Sequence, residues 1–448
     1  MVINRPACWL LVLGIGLGSP AIAQDSVKQQ PPAVWDLNAC LNYAKKNNIQ
    51  INSSRLTVQT NQQNLLQSRA ARQPNLSGSV SQSLINSKNT NPVVGGFQTQ
   101  ASYSSNFALA STSWIIYSGG AINEDIRQKG LDVQSAQLNV LEQENDITLQ
   151  ITQAYLNILL AKENIVYVQD LLKTSQAQQD QGKQRYDAGS IALKDFVELQ
   201  AQTSTDKYNL VQAQNTERQN LLTLKQVLQL PSDTTFDIVS PDTLIATALV
   251  PPLSQVQQTA MQTRPEIKNG ELGVQIAQLD LAKAKAAFLP VATVNAALQT
   301  GYSDNQAIAY LKQLDNNFYQ AIGLNLSIPI FTKRVNKTNL ENSKIEISQA
   351  QLTLKNTRTT LSQAVEQAYI SVLNSQAQYD AAVEQLKANQ ESFRIATEQL
   401  KVGVFSMVDF LTQKNLYVQA LQAYVQAKYN AALSMRIYDF YMGVPVKL

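Results

Sequence analysis

The sequence predicts a mainly α-helical fold with a small β part, in which long antiparallel α-helical hairpins each carry a pair of strands. Three observations lead there. The chain states one pattern twice, half its length apart. Each copy contains a long stretch free of proline. Each copy also holds two segments in which apolar and polar residues alternate with period two, as half-buried strands require.

The duplication sets the frame. Asn47–Leu56 (NNIQINSSRL) lies over Thr263–Leu272 (TRPEIKNGEL), and Pro74 over Pro290, 216 residues on. From Ser113 over Ser327 onward the spacing is 214, and it holds for Ala154-Tyr155 over Ala368-Tyr369 and for Pro231 over Pro445. The change of two falls between Pro74 and Ser113, so a loop there is shorter in the second copy. The expected organisation is a first repeat over 24–231, a linker over 232–252 at mid-height, and a second repeat over 253–448.

In chain order, residues 1–23 read as a secretory signal, with Arg5, an apolar run from Trp9 to Leu17 and an Ala21-Ile22-Ala23 cleavage site. Trp35–Gln73 and its counterpart Leu253–Leu289 read as helices stopped by Pro74 and Pro290. Strand pairs are expected over 75–118 and 291–331. In the second, Ala292, Val294, Ala296, Leu298 and Tyr302 alternate with Thr293, Asn295, Gln299 and Gly301, and Ile322, Leu324, Leu326, Ile328 and Ile330 do the same. In the first, Leu76, Val80 and Leu84 set one face, then Tyr103, Phe107 and Leu109, and Trp114 and Ile116 are out of phase with Phe107, which calls for a bulge or another frame. Asn86–Gln98 and Ser303–Asn317 read as the connecting loops.

A very long helix follows each strand pair. Ile151, Ala154, Ile158, Ala161, Ile165, Val168 and Leu172 form a heptad seam, repeated as Val365, Ala368, Val372, Ser375, Tyr379, Ala382 and Leu386. From Ile122 to Tyr186 such a helix is roughly 100 Å long at about 1.5 Å per residue. The return helix from Lys194 to Leu230 covers about half of that. Return and leading helices stacked end to end would match it. Between long and return helices lie two related turns, near 187–195 and 401–409, in which Gly189 matches Gly403, Asp195 matches Asp409 and Phe196 matches Phe410. Glycine suits a helix C-terminus, and aspartate suits the first turn of the next helix. Gly189, Ser190 and Ile191, with Gly403, Val404 and Phe405, are expected as the outermost residues.

Composition excludes several classes. There is no histidine, no glycine-rich phosphate loop, no G-x-S-x-G turn and no cysteine cluster, so neither catalysis, a cofactor nor a metal is expected. A net charge of +3 on 448 residues gives no footprint for nucleic acid. Past the signal, Cys40 is the one cysteine, so no internal disulfide is possible and a buried thiol is expected. No later stretch is apolar enough for a transmembrane helix. Four strands with an apolar face leave open edges, which lipid does not tolerate, so closure must come from other subunits. A dimer gives eight strands, too few for an open lumen, whereas a trimer gives twelve. A soluble β-sandwich cap on a coiled-coil rod is the other arrangement these residues allow.

The residues also match a known pattern. Asp36–Asn48 (DLNACLNYAKKNN), Arg264–Ile267 (RPEI), Trp114–Gly120 (WIIYSGG), Ile328–Phe331 (IPIF) and the two glycine turns, in this order and duplicated, resemble the TolC-type outer-membrane efflux proteins over essentially the whole chain. The resemblance implies a homotrimer: a periplasmic α-barrel beneath a 12-stranded outer-membrane β-barrel. It implies export through a channel joined to a periplasmic adaptor and an inner-membrane ABC, RND or MFS transporter. Ile322, Leu324, Leu326 and Ile328 would then face lipid, and Gly189, Ser190, Ile191, Gly403 and Val404 would meet the adaptor. Asp195, Asp409, Phe405 and Lys194 would line the periplasmic gate. Where the family's drug-efflux archetype has Tyr before the tip glycine and Arg after it, this chain has Leu400 and Phe405, so that lock is not carried over. Helix capping fits both aspartates equally well. A periplasm-spanning trimeric rod or adhesin without transport is the alternative function.

Overall fold

The computed structural model describes residues 34–90, 97–240 and 249–445. The expected signal at 1–23, part of the first connecting loop (91–96) and part of the linker (241–248) lie outside the described residues. The chain begins with β1 (Val34–Trp35), α1 (Leu37–Asn47) and α2 (Ile49–Ala70), then β2 (Ser77–Thr90), β3 (Phe97–Tyr117), α3 (Ala121–Asp187) and α4 (Leu193–Val227). After β4 (Asp237–Ile238) the pattern repeats as α5 (Leu253–Thr263), α6 (Pro265–Ala286), β5 (Val291–Ser303), α7 (Tyr310–Asn316), β6 (Tyr319–Ser327), α8 (Val335–Lys401) and α9 (Met407–Tyr441). The long helices α3 and α8 have 67 residues each, and α4 and α9 have 35. Against α3 pack α4 along one half and α2 along the other; α9 and α6 do the same for α8.

The leading helices are not continuous, contrary to the reading of Trp35–Gln73 and Leu253–Leu289 as single helices. Each breaks after eleven residues, at Asn48 (φ −61°, ψ 129°) and at Arg264 (φ −66°, ψ 133°). Arg264 precedes Pro265, and the proline ring disfavours helical backbone there. At Asn48 the break is held by its own side chain, whose Oδ1 accepts from the backbone N–H of Gln50 (2.9 Å) and Ile51 (3.2 Å).

These breaks are where the short helices meet. At the end of α4, Gln229 sits in the left-handed region (φ 57°) while Leu230 N–H donates to Lys225 O at 3.1 Å. Its Oε1 accepts the N–H of Ile49, the first residue of α2, at 2.8 Å. The second copy closes the same joint with Gly443 (φ 78°) at the end of α9 and Pro265 at the start of α6. Proline has no N–H to satisfy, so no capping side chain is required and glycine can take the strained position.

Around each joint lies the core. Trp35, Cys40, Ile51, Ile151, Tyr155, Ile158, Leu224, Leu228 and Ile238 pack together at the middle of α3; Val256, Ile267, Val365, Ala368, Val372 and Tyr438 do so at the middle of α8. The linker threads this level. β1 pairs in parallel with β4, Tyr155 Oη donates to Val239 O at 2.6 Å, and Tyr438 Oη donates to Pro251 O at 3.0 Å. Cys40 is fully buried, and that burial pushes its thiol up to about 12.

The four long strands form one antiparallel sheet in the order β2-β3-β5-β6. Across it Trp114 faces Val294 and Val294 faces Leu324, while Val80 faces Phe107 and Leu84 faces Tyr103. One apolar face therefore runs through all four strands. Its change of phase in β3 is a bulge between Ala108 and Ala110 that leaves Leu109 unpaired, the first of the two outcomes the sequence allowed. Three expectations need correction. Asn86–Thr90 pairs with β3 and is strand, not loop, since the ladder is built from backbone N–H and C=O groups and tolerates polar residues. Tyr310–Asn316 is a short helix, held on β5 by Gln313, which receives the N–H of Ser303 at 2.9 Å. Ile328 lies one residue beyond β6, because the following Pro329 has no N–H to continue the ladder.

The joint supplies a test. Gln229→Ala keeps the left-handed strain and orphans the Ile49 N–H, and should cost about 1–3 kcal/mol. Thermal melting of the purified protein should show this loss. A Gln229→Gly/Ile49→Pro pair, copying the second joint, should melt close to the unaltered protein.

Candidate functional site

Chemistry-bearing residues concentrate at the two ends of the hairpins. At the first tip, Ser190 N–H donates to Arg185 O and Gly189 N–H to Tyr186 O, both at 2.8 Å; at the second, Val404 N–H donates to Gln399 O (3.1 Å) and Gly403 N–H to Leu400 O (3.2 Å). Both are the paired 6→1 and 5→2 closure of a helix end around a left-handed residue. Gly189 and Gly403 have φ of 73° and 81°, and a Cβ on either would meet nothing within 4 Å. Glycine is there for its backbone, and the turn itself is open to solvent. Val404 is 72% exposed, with Val402 beside it at 73%, so the second tip presents an apolar surface that the chain leaves uncovered.

The two aspartates are placed differently. Ser406 caps α9 by accepting the N–H of Asp409 at 3.1 Å, and its hydroxyl donates to Asp409 Oδ2 at 2.6 Å. Asp409 thus holds its cap through side chains and stays exposed. In the first tip Ala192 occupies the cap position and has no side-chain oxygen to accept a hydrogen bond; Asp195 N–H donates to Ala192 O at 3.1 Å. Lys194 forms a 3.7 Å surface ion pair with Glu198. Phe405 is half-buried. Among the described residues, no hydrogen bond or ion pair joins Asp195, Lys194 and Asp409 to one another.

At the other end, Ile322, Leu324 and Leu326 are 83%, 71% and 57% exposed, and their neighbours Ala296, Val294 and Ala292 carry the same face onward. Among the described residues, the outer strands β2 and β6 each have one edge without a partner.

One cluster near the tips went unnoticed in the sequence. Lys414 on α9 is 0% exposed, and its Nζ lies 2.8 Å from Asp206 Oδ2 on α4. Ser175 on α3 bonds to both, and Gln202 Nε2 donates to Asp206 Oδ1 at 3.0 Å. Burial pulls the Lys414 ammonium below the ordinary lysine range, and Asp206 opposes that shift. A second tie lies closer to mid-height, where Glu163 on α3 accepts from Lys428 Nζ (2.9 Å), Tyr429 Oη (2.7 Å) and Tyr167 Oη (3.2 Å). Burial and that carboxylate push the Tyr167 phenol up to about 12. The two hairpins are therefore fastened along α3 and α9 by charge. A signal was present: Asp206 sits on a heptad line with Leu199 and Ala213, and Lys414 on the apolar stripe of Phe410, Leu421 and Val425.

With fold and site in view, comparison with known proteins is direct. The family model described as outer membrane efflux protein matches residues 40–228 and 256–436, one stretch in each copy, and the chain belongs to that family. Its relatives include the outer membrane efflux protein BepC of Brucella suis, 22% identical over 399 residues, covering 89% of this chain and 83% of that one. The outer membrane protein TolC of Escherichia coli is 22% identical over 315 residues, 68% of this chain and 62% of that protein. Among solved structures, the Campylobacter jejuni CmeC outer membrane channel superposes with a TM-score of 0.78 at 18% identity, covering 99% of this chain and 94% of that one. The chain is thus an outer-membrane efflux-type channel protein in fold and family.

The buried pair yields a prediction. Lys414→Ala leaves Asp206 charged and unpaired among helices, and should cost about 3–5 kcal/mol. Replacing the group together, as Lys414→Met/Asp206→Leu/Ser175→Ala, should recover most of the loss in chemical denaturation.

Proposed function

We propose that three copies of this chain assemble into an outer-membrane channel-tunnel, the exit duct of a tripartite efflux pump or type I secretion system. The observation that carries this is the four-stranded sheet: apolar on one face, unpaired at both edges, and set at the end of hairpins roughly 100 Å long. Open edges and an apolar face are compatible with lipid only in a closed barrel, and three sheets supply twelve strands with room for water inside. Ile322, Leu324 and Leu326 face lipid in this assembly, with Ile328 at its rim, and Thr293, Asn295 and Asn325 face the lumen. Each hairpin reaches into the periplasm. The tips at Gly189–Ile191 and Gly403–Phe405 receive a periplasmic adaptor, which couples the duct to an inner-membrane ABC, RND or MFS transporter. BepC's description as an efflux protein supports this reading.

Gating follows from symmetry. Columns that converge at the tips bring three Asp409 side chains, and three of Asp195, toward one axis, with Lys194 beside them. At about 6 Å such carboxylates repel by roughly 1 kcal/mol per pair in water and about 3 kcal/mol at an effective dielectric of 20. Phe405 closes the remaining gap by apolar contact. No enzymatic step is required.

Planar-bilayer recording tests the duct. The purified protein should give a cation-selective channel of low resting conductance, blocked from the tip side by multivalent cations. A rod without transport would give no conductance, and that result would overturn the proposal. Asp409→Ala should weaken the block and Phe405→Ala should raise resting conductance; block unchanged in an Asp195/Asp409 double alanine variant would leave both residues as helix-stabilising groups only. For the barrel, Leu324→Arg should cost roughly 2–4 kcal/mol near the bilayer midplane and impair assembly, while Asn325→Arg should assemble and alter conductance.

A further inference from the structure

The two junctions between sheet and long helix are built from equivalent residues, yet they differ in charge. In the first, Gly119 and Gly120 join β3 to α3 with φ of 64° and 89°, and a Cβ at Gly119 would meet Ala286 O and Leu289 Cβ at 2.8 Å. In the second, the matching positions before α8 are Lys333 and Arg334, at φ 49° and 69°. Residues 119–125 carry Glu124 and Asp125, whereas residues 333–339 carry Lys333, Arg334 and Lys337. The local formal charge passes from −2 to +3.

Nothing among the described residues accounts for this change. Left-handed backbone disfavours side chains such as lysine and arginine. Cations at the start of α8 oppose the positive end of the helix's own dipole. Lys333, Arg334 and Lys337 are all exposed, and none forms an ion pair among the described residues. A strained and uncompensated cluster points to a partner outside the chain.

The surroundings identify that partner. Ile330 and Phe331, just before the cations, are 93% and 83% exposed, and Trp114 and Tyr117 stand at the same end of the sheet at 39% and 49%. An apolar sheet face, then an aromatic and aliphatic collar, then cations nearer the helices, follows the layering of a bilayer from acyl chains to phosphates. We infer that Lys333, Arg334 and Lys337 bind the phosphates of anionic phospholipid in the membrane leaflet facing the helical body, with Ile330 and Phe331 inserted beside the acyl chains. This rests on the barrel reading above, and it makes the second junction of each copy a lipid-specific anchor. The first junction, acidic and glycine-built, is not one.

The test is a lipid titration of the purified full chain in detergent, followed by thermal midpoint. Phosphatidylglycerol should raise the midpoint and phosphatidylcholine should do so much less. Each cation near an anionic surface contributes on the order of five-fold in affinity, so Lys333→Gly/Arg334→Gly should raise the half-saturating phosphatidylglycerol on the order of 25-fold. That variant copies Gly119-Gly120, so its lipid-free midpoint should equal or exceed that of the unaltered protein. Lys333→Arg/Arg334→Lys should retain the affinity. Identical phosphatidylglycerol titrations for the glycine variant and the unaltered protein would overturn the inference. So would an equal shift from phosphatidylcholine, or from inorganic phosphate at matched concentration, which would mark a free-anion site. Insertion into phosphatidylcholine vesicles separates the two readings: a chain that fails to insert removes the barrel and the anchor together, whereas normal insertion with no preference for phosphatidylglycerol removes only the anchor.

Discussion

A mismatch of length governs this molecule. A helix of 67 residues cannot be covered by a partner of 35, so each long helix needs a second short helix stacked on the first. Stacking places helix ends in the interior, where their free N–H and C=O groups must find partners. The mid-height joints are the answer. Asn48 and Gln229 satisfy one of them with side chains, while Pro265 removes a donor from the other. The linker strand, the tyrosine hydroxyls and the densest apolar packing gather at the same level because that is where the backbone has to be satisfied. Two copies thus solved one problem by different chemistry, and each solution is consistent only as a pair: a glutamine with an N–H, a glycine with a proline.

Away from the joints the chain is thin, and both ends are unfinished within one copy. The sheet has an apolar face and two open edges, and the second tip exposes Val402 and Val404. The buried Lys414–Asp206–Ser175 group stands between these regimes. It fastens one hairpin to the other below the core, where apolar contact alone is narrow, and a charged group left without its partner there is costly. The two hairpins are therefore tied there by a specific polar contact in addition to the apolar packing of α9 against α3.

Much of this was legible in the residues. Proline positions, the heptad seam and the repeated glycine turns follow local rules, and the long helices start and stop close to where those rules place them. The period-two face in β5 and β6 was readable because alternate side chains of a strand fall on opposite faces of the sheet. The misphased Trp114 already required a bulge. The break at Asn48 was not readable in the same way: asparagine inside a helical pattern is compatible with continuation, and the break rests on its side chain capping α2 together with Gln229, which arrives from 180 residues away.

What the sequence determined by itself was the duplicated plan, the lengths of the helices and the alternation of the strands, because each depends on contacts within a few residues along the chain. What the tertiary structure decided was which polar residues meet. Lys414 lies on the apolar stripe of its helix, but only the closing of α3 and α4 over it shows that its partner is Asp206, and Lys333 and Arg334 read as a common basic pair until their left-handed backbone and exposed apolar neighbours are seen together. Burial and charge pairing depend on segments distant in sequence, and no local periodicity encodes which of them will come into contact.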